Sequence, residues 1–261
     1  MLNPTPSSSK GFVWLVGAGP GAADLITLRG LRLLQSAEAV VHDELSSHEL
    51  LAHCPPGCEV HAVGKRAGHH SATQAEINAL LVQLGNEGRK IVRLKGGDPM
   101  IFGRAGEELE ALRAAGIPFE IVPGVTAATA AAASLGLPLT HRDCSSAVVF
   151  VTGHQCAANT GGLDWGALTK LRATLCFYMG VRRLPEIVHN LFQHGMKAET
   201  PLALISAATT PAQKITITTL GEAAGIAPGE IAQPALVVIG EVVRFSDFAA
   251  RVPGLLAQKT P

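Results

Sequence analysis

The residues most able to do chemistry in this 261-residue chain lie in glycine-rich turns. The first is VGAGPGAAD, residues 16–24, where Gly17, Gly19 and Ala22 satisfy the G-x-G-x-x-G/A pattern of dinucleotide sites. Asp43 follows at about the right distance to hold a ribose, so a nicotinamide enzyme is one reading. Pro20 stands against it, because a prolyl residue has no N–H to give a pyrophosphate. LKGGDP, residues 94–99, frees the backbone with two glycines and offers the Asp98 carboxylate. That carboxylate suits ribose hydroxyls or a cationic amine; it also suits an Asx-turn that satisfies its own loop. VPGVTAA (122–128), VTGH (151–154) and FYMG (177–180) are further turns of small residues. Glycine in such turns permits positive φ and lets a ligand touch backbone.

Charged side chains cluster near these turns. VGKRAGHH, residues 63–70, holds two cations and two histidines, and HRD (141–143) and Arg104 add more positive charge. A single Lys or Arg is usually a solvated charge. Clustered cations at strand ends suit carboxylate recognition, where arginine forms bidentate pairs. Between residues 61 and 104 there are seven basic residues against three acidic ones. The whole chain is balanced, with 21 of each, which argues against a general nucleic-acid binder and for an anionic small molecule. His53-Cys54-x3-Cys58-x2-His61 has metal-like spacing, but Pro55-Pro56-Gly57 reads as an ordinary turn, and no metal is expected. No Gly-x-Ser-x-Gly or Cys–His arrangement points to covalent catalysis.

These loops need elements to position them. Strands are expected at 12–16, 38–42, 59–63, 91–94 and 119–122, alternating with helical stretches. Leu28, Leu31 and Leu34 recur at helical spacing; so do Ile77, Leu80, Leu81 and Leu84, after a capping box at Thr73 and Glu76. That alternation is the rhythm of a mostly parallel α/β sheet. Five more strands follow at 147–152, 174–179, 202–206, 214–219 and 235–239, with a helix at 184–194 ending at Gly195. The alternation in 214–219 predicts a half-exposed antiparallel strand. The expected organisation is a disordered tail (1–11), an α/β domain (12–140), a second α/β domain with a mixed sheet (141–250) and a tail (251–261). Five cysteines, no secretory leader and no apolar run of membrane-spanning length suggest a cytoplasmic protein with no membrane partner.

VGAGPG, VGKRAGHH, RLKGGDPMIFGR, VPGVTAA, PLTHRD, VTGH and FYMG, in this order and spacing, resemble the uroporphyrinogen-III C-methyltransferases among the tetrapyrrole methyltransferases. The resemblance runs from about residue 12 to about 245. It implies two α/β domains with the cofactor between them, in a homodimer. It implies transfer of two methyl groups from S-adenosylmethionine to uroporphyrinogen III, giving precorrin-2 for sirohaem or cobalamin synthesis and S-adenosylhomocysteine. Some members carry an additional N-terminal dehydrogenase and ferrochelatase domain, for which these residues leave no room. Carried over by motif, Pro20, Gly96, Gly97, Asp98, Ile101, Thr126, Ala127, Met179 and Ala208 would contact the cofactor. Asp43 would be the proton acceptor and Lys65 the proton donor, with Arg104, Glu107, Arg142 and His154 facing the tetrapyrrole. The eight carboxylates of that substrate fit the basic stretch. Two positions depart from the family pattern: Glu44 stands where a cation is usual, and Ala208 where glycine is usual. Other readings are a methyltransferase for a later precorrin, an NAD-dependent oxidoreductase and a non-catalytic binding module.

Overall fold

A computed structural model describes residues 10–44, 48–64, 72–153 and 162–246. Most of the two expected tails, together with Lys65 and His154, lies outside the described residues. The chain divides into two compact units, 1–126 and 127–261.

In the first unit, β1 (Phe12–Gly17), β2 (Ala39–His42), β3 (Glu59–Ala62), β4 (Lys90–Lys95) and β5 (Phe119–Val122) form one sheet in the order β3-β2-β4-β1-β5. Every pairing is parallel, with Phe12 opposite Lys90 and Val13 opposite Phe119. Such a sheet is covered on both faces, so its strands read as continuous aliphatic runs. Val13, Leu15, Val41 and Ile91 pack against α2 (Gln74–Asn86) and α3 (Ala105–Ala114), through Ile77, Leu81, Leu109 and Leu112. Val16, Val40, Val92 and Leu94 fill the opposite face with Leu34 and Leu50. The capping box at Thr73 forms: its hydroxyl accepts from the Glu76 N–H, and Glu76 accepts from the Thr73 N–H. The leucine stripe of α1 (Leu28–Leu34) is only partly realised. Leu34 is buried, but Leu28 is 72 % exposed, and Gly30 packs where a Cβ would meet Val16 at 2.8 Å.

In the second unit, β6 (Ala147–Thr152), β7 (Ala173–Tyr178), β8 (Pro201–Ser206), β9 (Lys214–Thr219) and β10 (Ala235–Ile239) are ordered β6-β7-β10-β8-β9. β6 and β7 are parallel and the other pairings are antiparallel. β9 is the half-exposed edge strand its alternation predicts. One face packs on α6 (Leu184–Gln193), through Leu184, Ile187, Val188 and Leu191. The other packs on α4 (Ala127–Ser134) and the following Leu135 and Leu137, which explains why residues 127–140 go with the second unit. The sequence-based boundary at 140 had given them to the first.

Candidate functional site

All five parallel strands of the first unit end at one edge, where ligands of open α/β sheets bind. Three of the glycine turns meet there through backbone. A Cβ on Gly17 would lie 2.5 Å from the Gly124 Cα; one on Gly124 would lie 2.3 Å from the Gly97 carbonyl oxygen. Gly97 and Gly19 pair as an antiparallel bridge, with Gly97 N–H donating to the Gly19 carbonyl at 2.6 Å and Gly19 N–H returning a bond at 3.3 Å. Ala18 N–H donates to the Lys95 carbonyl at 2.7 Å. Two N–H groups of the turn, those of Ala18 and Gly19, are thus engaged within the protein. The first full helix after the turn starts only at Leu28. The glycine pattern is therefore a fold contact, and the nicotinamide reading loses its physical basis.

Asp98 organises the same point. Its Oδ1 accepts from Met100 N–H at 2.8 Å, and its Oδ2 accepts from Gly124 N–H at 3.0 Å. The Asx-turn is present, and it also ties the loop after β4 to the loop after β5. Ile101 N–H closes this turn on the Asp98 carbonyl at 3.2 Å. Met100 and Phe102 are exposed beside it. Pro20, Gly96, Gly97, Asp98, Ile101, Arg104 and Glu107 therefore share this edge with Asp43, which follows β2. Arg104 donates to both Glu107 oxygens, at 2.8 and 2.7 Å, and this holds the Glu107 carboxyl below its ordinary range. A substrate carboxylate at Arg104 must compete with Glu107.

In the second unit, β6, β7 and β8 also run to a common edge. Gly153, Met179 and Ala207–Thr209 lie along it. A Cβ on Gly153 would sit 2.4 Å from the Gly180 Cα. Met179 is 55 % exposed, and Ala208 packs partly buried against the aliphatic face. Thr126 is the last residue of the first unit and Ala127 opens α4. Tyr178, the chain's single tyrosine, accepts from Ala128 N–H at 3.1 Å, fixing the start of α4. Arg142 is not brought to this edge. It is exposed in a turn closed by His141 and Ser145, and Leu139 and Ser145 of that segment bond to Thr174 near the amino end of β7.

Two features carried no reliable sign in the sequence. Phe102, Arg104, Met179, Ala207 and Thr209 all have positive φ, and all five lie in these loops. Such conformations cost roughly 1–3 kcal/mol each and collect at ligand sites. The second feature is a buried ionic cluster behind Asp43. Arg93 Nη2 donates to Asp43 Oδ1 at 2.6 Å, and Lys95 Nζ lies 4.0 Å from Oδ2. Glu108 Oε1 accepts from Arg93 Nε at 3.1 Å and from Lys95 Nζ at 2.7 Å. Burial, with Arg93 alongside, holds the Lys95 amine below the ordinary lysine range; Glu108 and Asp43 oppose the shift. The signal available in the sequence was period: Arg93 and Lys95 share a face of β4 with Ile91, and Glu108 falls in the 105/108/109/112 stripe of α3.

Burial raises the described thiols above the ordinary range, which disfavours the thiolate form. Burial pushes Cys176 up to about 12, and burial together with Cys58 pushes Cys54 up to about 11. Among the described residues no three His, Cys, Asp or Glu side chains are grouped to hold a metal.

These are two α/β units, and in each the loops that follow the parallel strands meet through backbone contacts between glycines. The chain belongs to the Tetrapyrrole (Corrin/Porphyrin) Methylases, whose family pattern matches residues 13–224. It is 51 % identical over 238 residues to siroheme synthase 1 of Pectobacterium atrosepticum, covering 91 % of this chain and 49 % of that protein. The chain thus spans about half the length of the curated relatives it matches. It resembles the uroporphyrin-III C-methyl transferase of Thermus thermophilus complexed with S-adenyl homocysteine, with 38 % identity and a TM-score of 0.77, covering 90 % of this chain and 94 % of that one. A cobalt precorrin-4 methyltransferase superposes with a TM-score of 0.80 at 30 % identity, covering 92 % and 99 %.

Proposed function

We propose that this protein methylates uroporphyrinogen III twice from S-adenosylmethionine to give precorrin-2, for sirohaem or a related tetrapyrrole. The observation that carries the reading is the backbone crossing of Gly17, Gly97 and Gly124 beside Asp43, in a chain 38 % identical to a methyltransferase complexed with S-adenyl homocysteine. An adenosyl sulfonium fits these loops better than a dinucleotide: the Ala18 and Gly19 N–H groups are already engaged, and Met100 and Phe102 are exposed and apolar.

When bound, S-adenosylmethionine supplies an electrophilic methyl group. By the family resemblance, Pro20, Gly96, Gly97, Asp98, Ile101, Thr126, Ala127, Met179 and Ala208 would hold it. A pyrrole carbon of the tetrapyrrole forms the new carbon–carbon bond as the sulfur–methyl bond breaks. The methylated ring is then cationic and sheds a proton. Asp43 would accept that proton and pass it to solvent. Lys65 would act as proton donor only within a tautomeric shift of the ring, giving one proton as another leaves, so that each methyl added costs the substrate one proton net. Arg104, Glu107 and His154 would face the substrate. Arg142, in the turn beside the amino end of β7, is proposed to face the substrate from the resemblance alone. Positioning matters more here than a strong nucleophile, because the substrate carbon is already electron-rich.

The test is incubation with uroporphyrinogen III and methyl-labelled S-adenosylmethionine. Two labelled methyls per tetrapyrrole are expected; an unlabelled tetrapyrrole refutes the reading. The TM-score of 0.80 to a precorrin-4 enzyme keeps a later precorrin as the second reading, and labelling of that substrate alone would select it. A homodimer and a cytoplasmic setting belong to the same proposal, and sedimentation tests the first. No described helix is long and apolar enough to cross a membrane.

A further inference from the structure

The ionic cluster behind Asp43 is built in layers. Glu108 is the innermost group, at 0 % exposure, and lies on the buried stripe of α3 with Ala105, Leu109 and Leu112. Its Oε1 takes Arg93 Nε and Nη2, each at 3.1 Å, and Lys95 Nζ at 2.7 Å. Its Oε2 is buried without a hydrogen-bond partner among the described residues. Arg93 and Lys95 are 1 % and 2 % exposed, and alternation along β4 turns both toward α3. Arg93 also donates to the Val41 and Leu94 carbonyls at 3.3 Å, which pins its guanidinium plane. Both cations then reach Asp43, one at each carboxylate oxygen, at 2.6 and 4.0 Å. Asp43 is the outlet of the cluster, with 31 % of its side chain exposed.

Burying three charges to hold a fourth is a poor way to add stability, because desolvation offsets most of the attraction. It is an effective way to fix one carboxylate in one place. We propose that Glu108, acting through Arg93 and Lys95, is a positioning residue that locks the Asp43 carboxylate at the end of β2 for the proton transfer that follows methylation. The inference rests on the reading above, in which Asp43 meets the tetrapyrrole.

Glu108→Gln keeps shape and an acceptor oxygen but removes the charge; Lys95→Met keeps the stem and removes one link. Each is assayed alone and combined with Asp43→Asn, with S-adenosylhomocysteine binding measured in parallel. Each single variant lowers kcat about tenfold, with KM and S-adenosylhomocysteine affinity within about twofold. In the Asp43→Asn background neither lowers kcat further by more than about twofold, because the link they act through is gone. Wild-type kcat, an undiminished loss in that background, or a parallel loss of S-adenosylhomocysteine affinity overturns the proposal. A crystal structure of Glu108→Gln reads the same claim without turnover. Asp43 leaves its contact with Arg93 Nη2; an unmoved carboxylate overturns the proposal. If the wild-type protein does not methylate uroporphyrinogen III, the functional reading fails, while the crystal structure still decides the positioning.

Discussion

Replacing Gly124 by alanine tests the contact on which the first unit's loops converge. The new Cβ would stand 2.3 Å from the Gly97 carbonyl oxygen and 2.7 Å from the Gly17 Cα. Both are backbone atoms, so no rotamer change relieves the clash, and the loops must part by about 1 Å. Overpacking of that kind costs typically about 1–3 kcal/mol. Parting the loops also strains the bond from Gly124 N–H to Asp98, at 3.0 Å, worth about 1 kcal/mol net. Urea unfolding should therefore show about 2–4 kcal/mol lost from the first unit. The larger effect is on ligand. If Gly96 and Gly97 hold the methyl donor through backbone, a displacement of about 1 Å costs up to about 100-fold in rate. Titration calorimetry should show S-adenosylhomocysteine affinity reduced by at least about tenfold, or about 1.4 kcal/mol. Gly106→Ala is the control: its Cβ meets nothing within 4 Å, and alanine in a helix gains roughly 0.5–1 kcal/mol. A Gly124→Ala protein that binds S-adenosylhomocysteine within about twofold of wild type would refute the idea that this crossing shapes the cofactor site.

Further outcomes follow from named contacts. Thr73→Ala removes the capping box of α2 and should cost about 1 kcal/mol in urea unfolding, with no change in ligand affinity. Arg104→Gln should raise the titration midpoint of the Glu107 carboxyl in carbon NMR, because the hydrogen bond from Arg104 is what depresses it. In the wild type, the small stabilisation from that pair is present above the unfolded carboxyl pKa and is lost as pH falls through the lower folded value. Lys95 behaves oppositely in kind: its folded pKa lies below the unfolded 10.5, so between the two the unfolded chain binds more protons and stability rises with pH. The wild-type minus Lys95→Met difference in unfolding free energy should therefore slope upward on the approach to pH 10.5, and a flat difference would contradict the burial of a charged amine.

The strands were legible because hydrophobic runs of four to six residues are a local signal. Each of the ten expected strands overlaps its observed counterpart. The α6 end was legible for a similar reason: Gly195, at φ +93, does what a residue with a Cβ does poorly. The Leu28 exposure was not legible, since spacing alone does not say which face meets the sheet; Gly30, packed on Val16, takes the buried place. Residues 127–140, placed before the boundary drawn from sequence, pack with the second unit; an alanine-rich helix carries almost no directional pattern, so only its contacts with Cys176, Ala203 and Val238 show this. In the candidate site, the glycines and Asp98 could be read, but their partners could not. Nothing local to LKGGDP says that Asp98 reaches Gly124, 26 residues on. Arg93 is part of a basic stretch suited to an anionic small molecule, but it is buried, and only the register of β2 on β4, with Val41 opposite Arg93, brings it to Asp43.

The opening turn shows how a correct pattern can carry a wrong mechanism. In a dinucleotide fold the glycines of G-x-G-x-x-G present N–H groups to a pyrophosphate at a helix N-terminus. Here the same spacing serves a different closure: Ala18 and Gly19 spend their N–H groups on Lys95 and Gly97, and the helix is delayed to Leu28. The glycines are needed because two backbones cross, which is why Gly17 tolerates no Cβ against Gly124. The positive-φ residues Phe102, Arg104, Met179, Ala207 and Thr209 extend the argument, because none is glycine and each is held against its own preference. Strain of that kind persists only where surrounding contacts over-determine it. Thr209 is an example, its N–H held by the Gln213 side chain at 2.6 Å. Loops built this way are shaped without a ligand, so a ligand bound there, as proposed, would cost little conformational entropy. For a methyl transfer governed by alignment, that prior shaping is the contribution backbone alone can make.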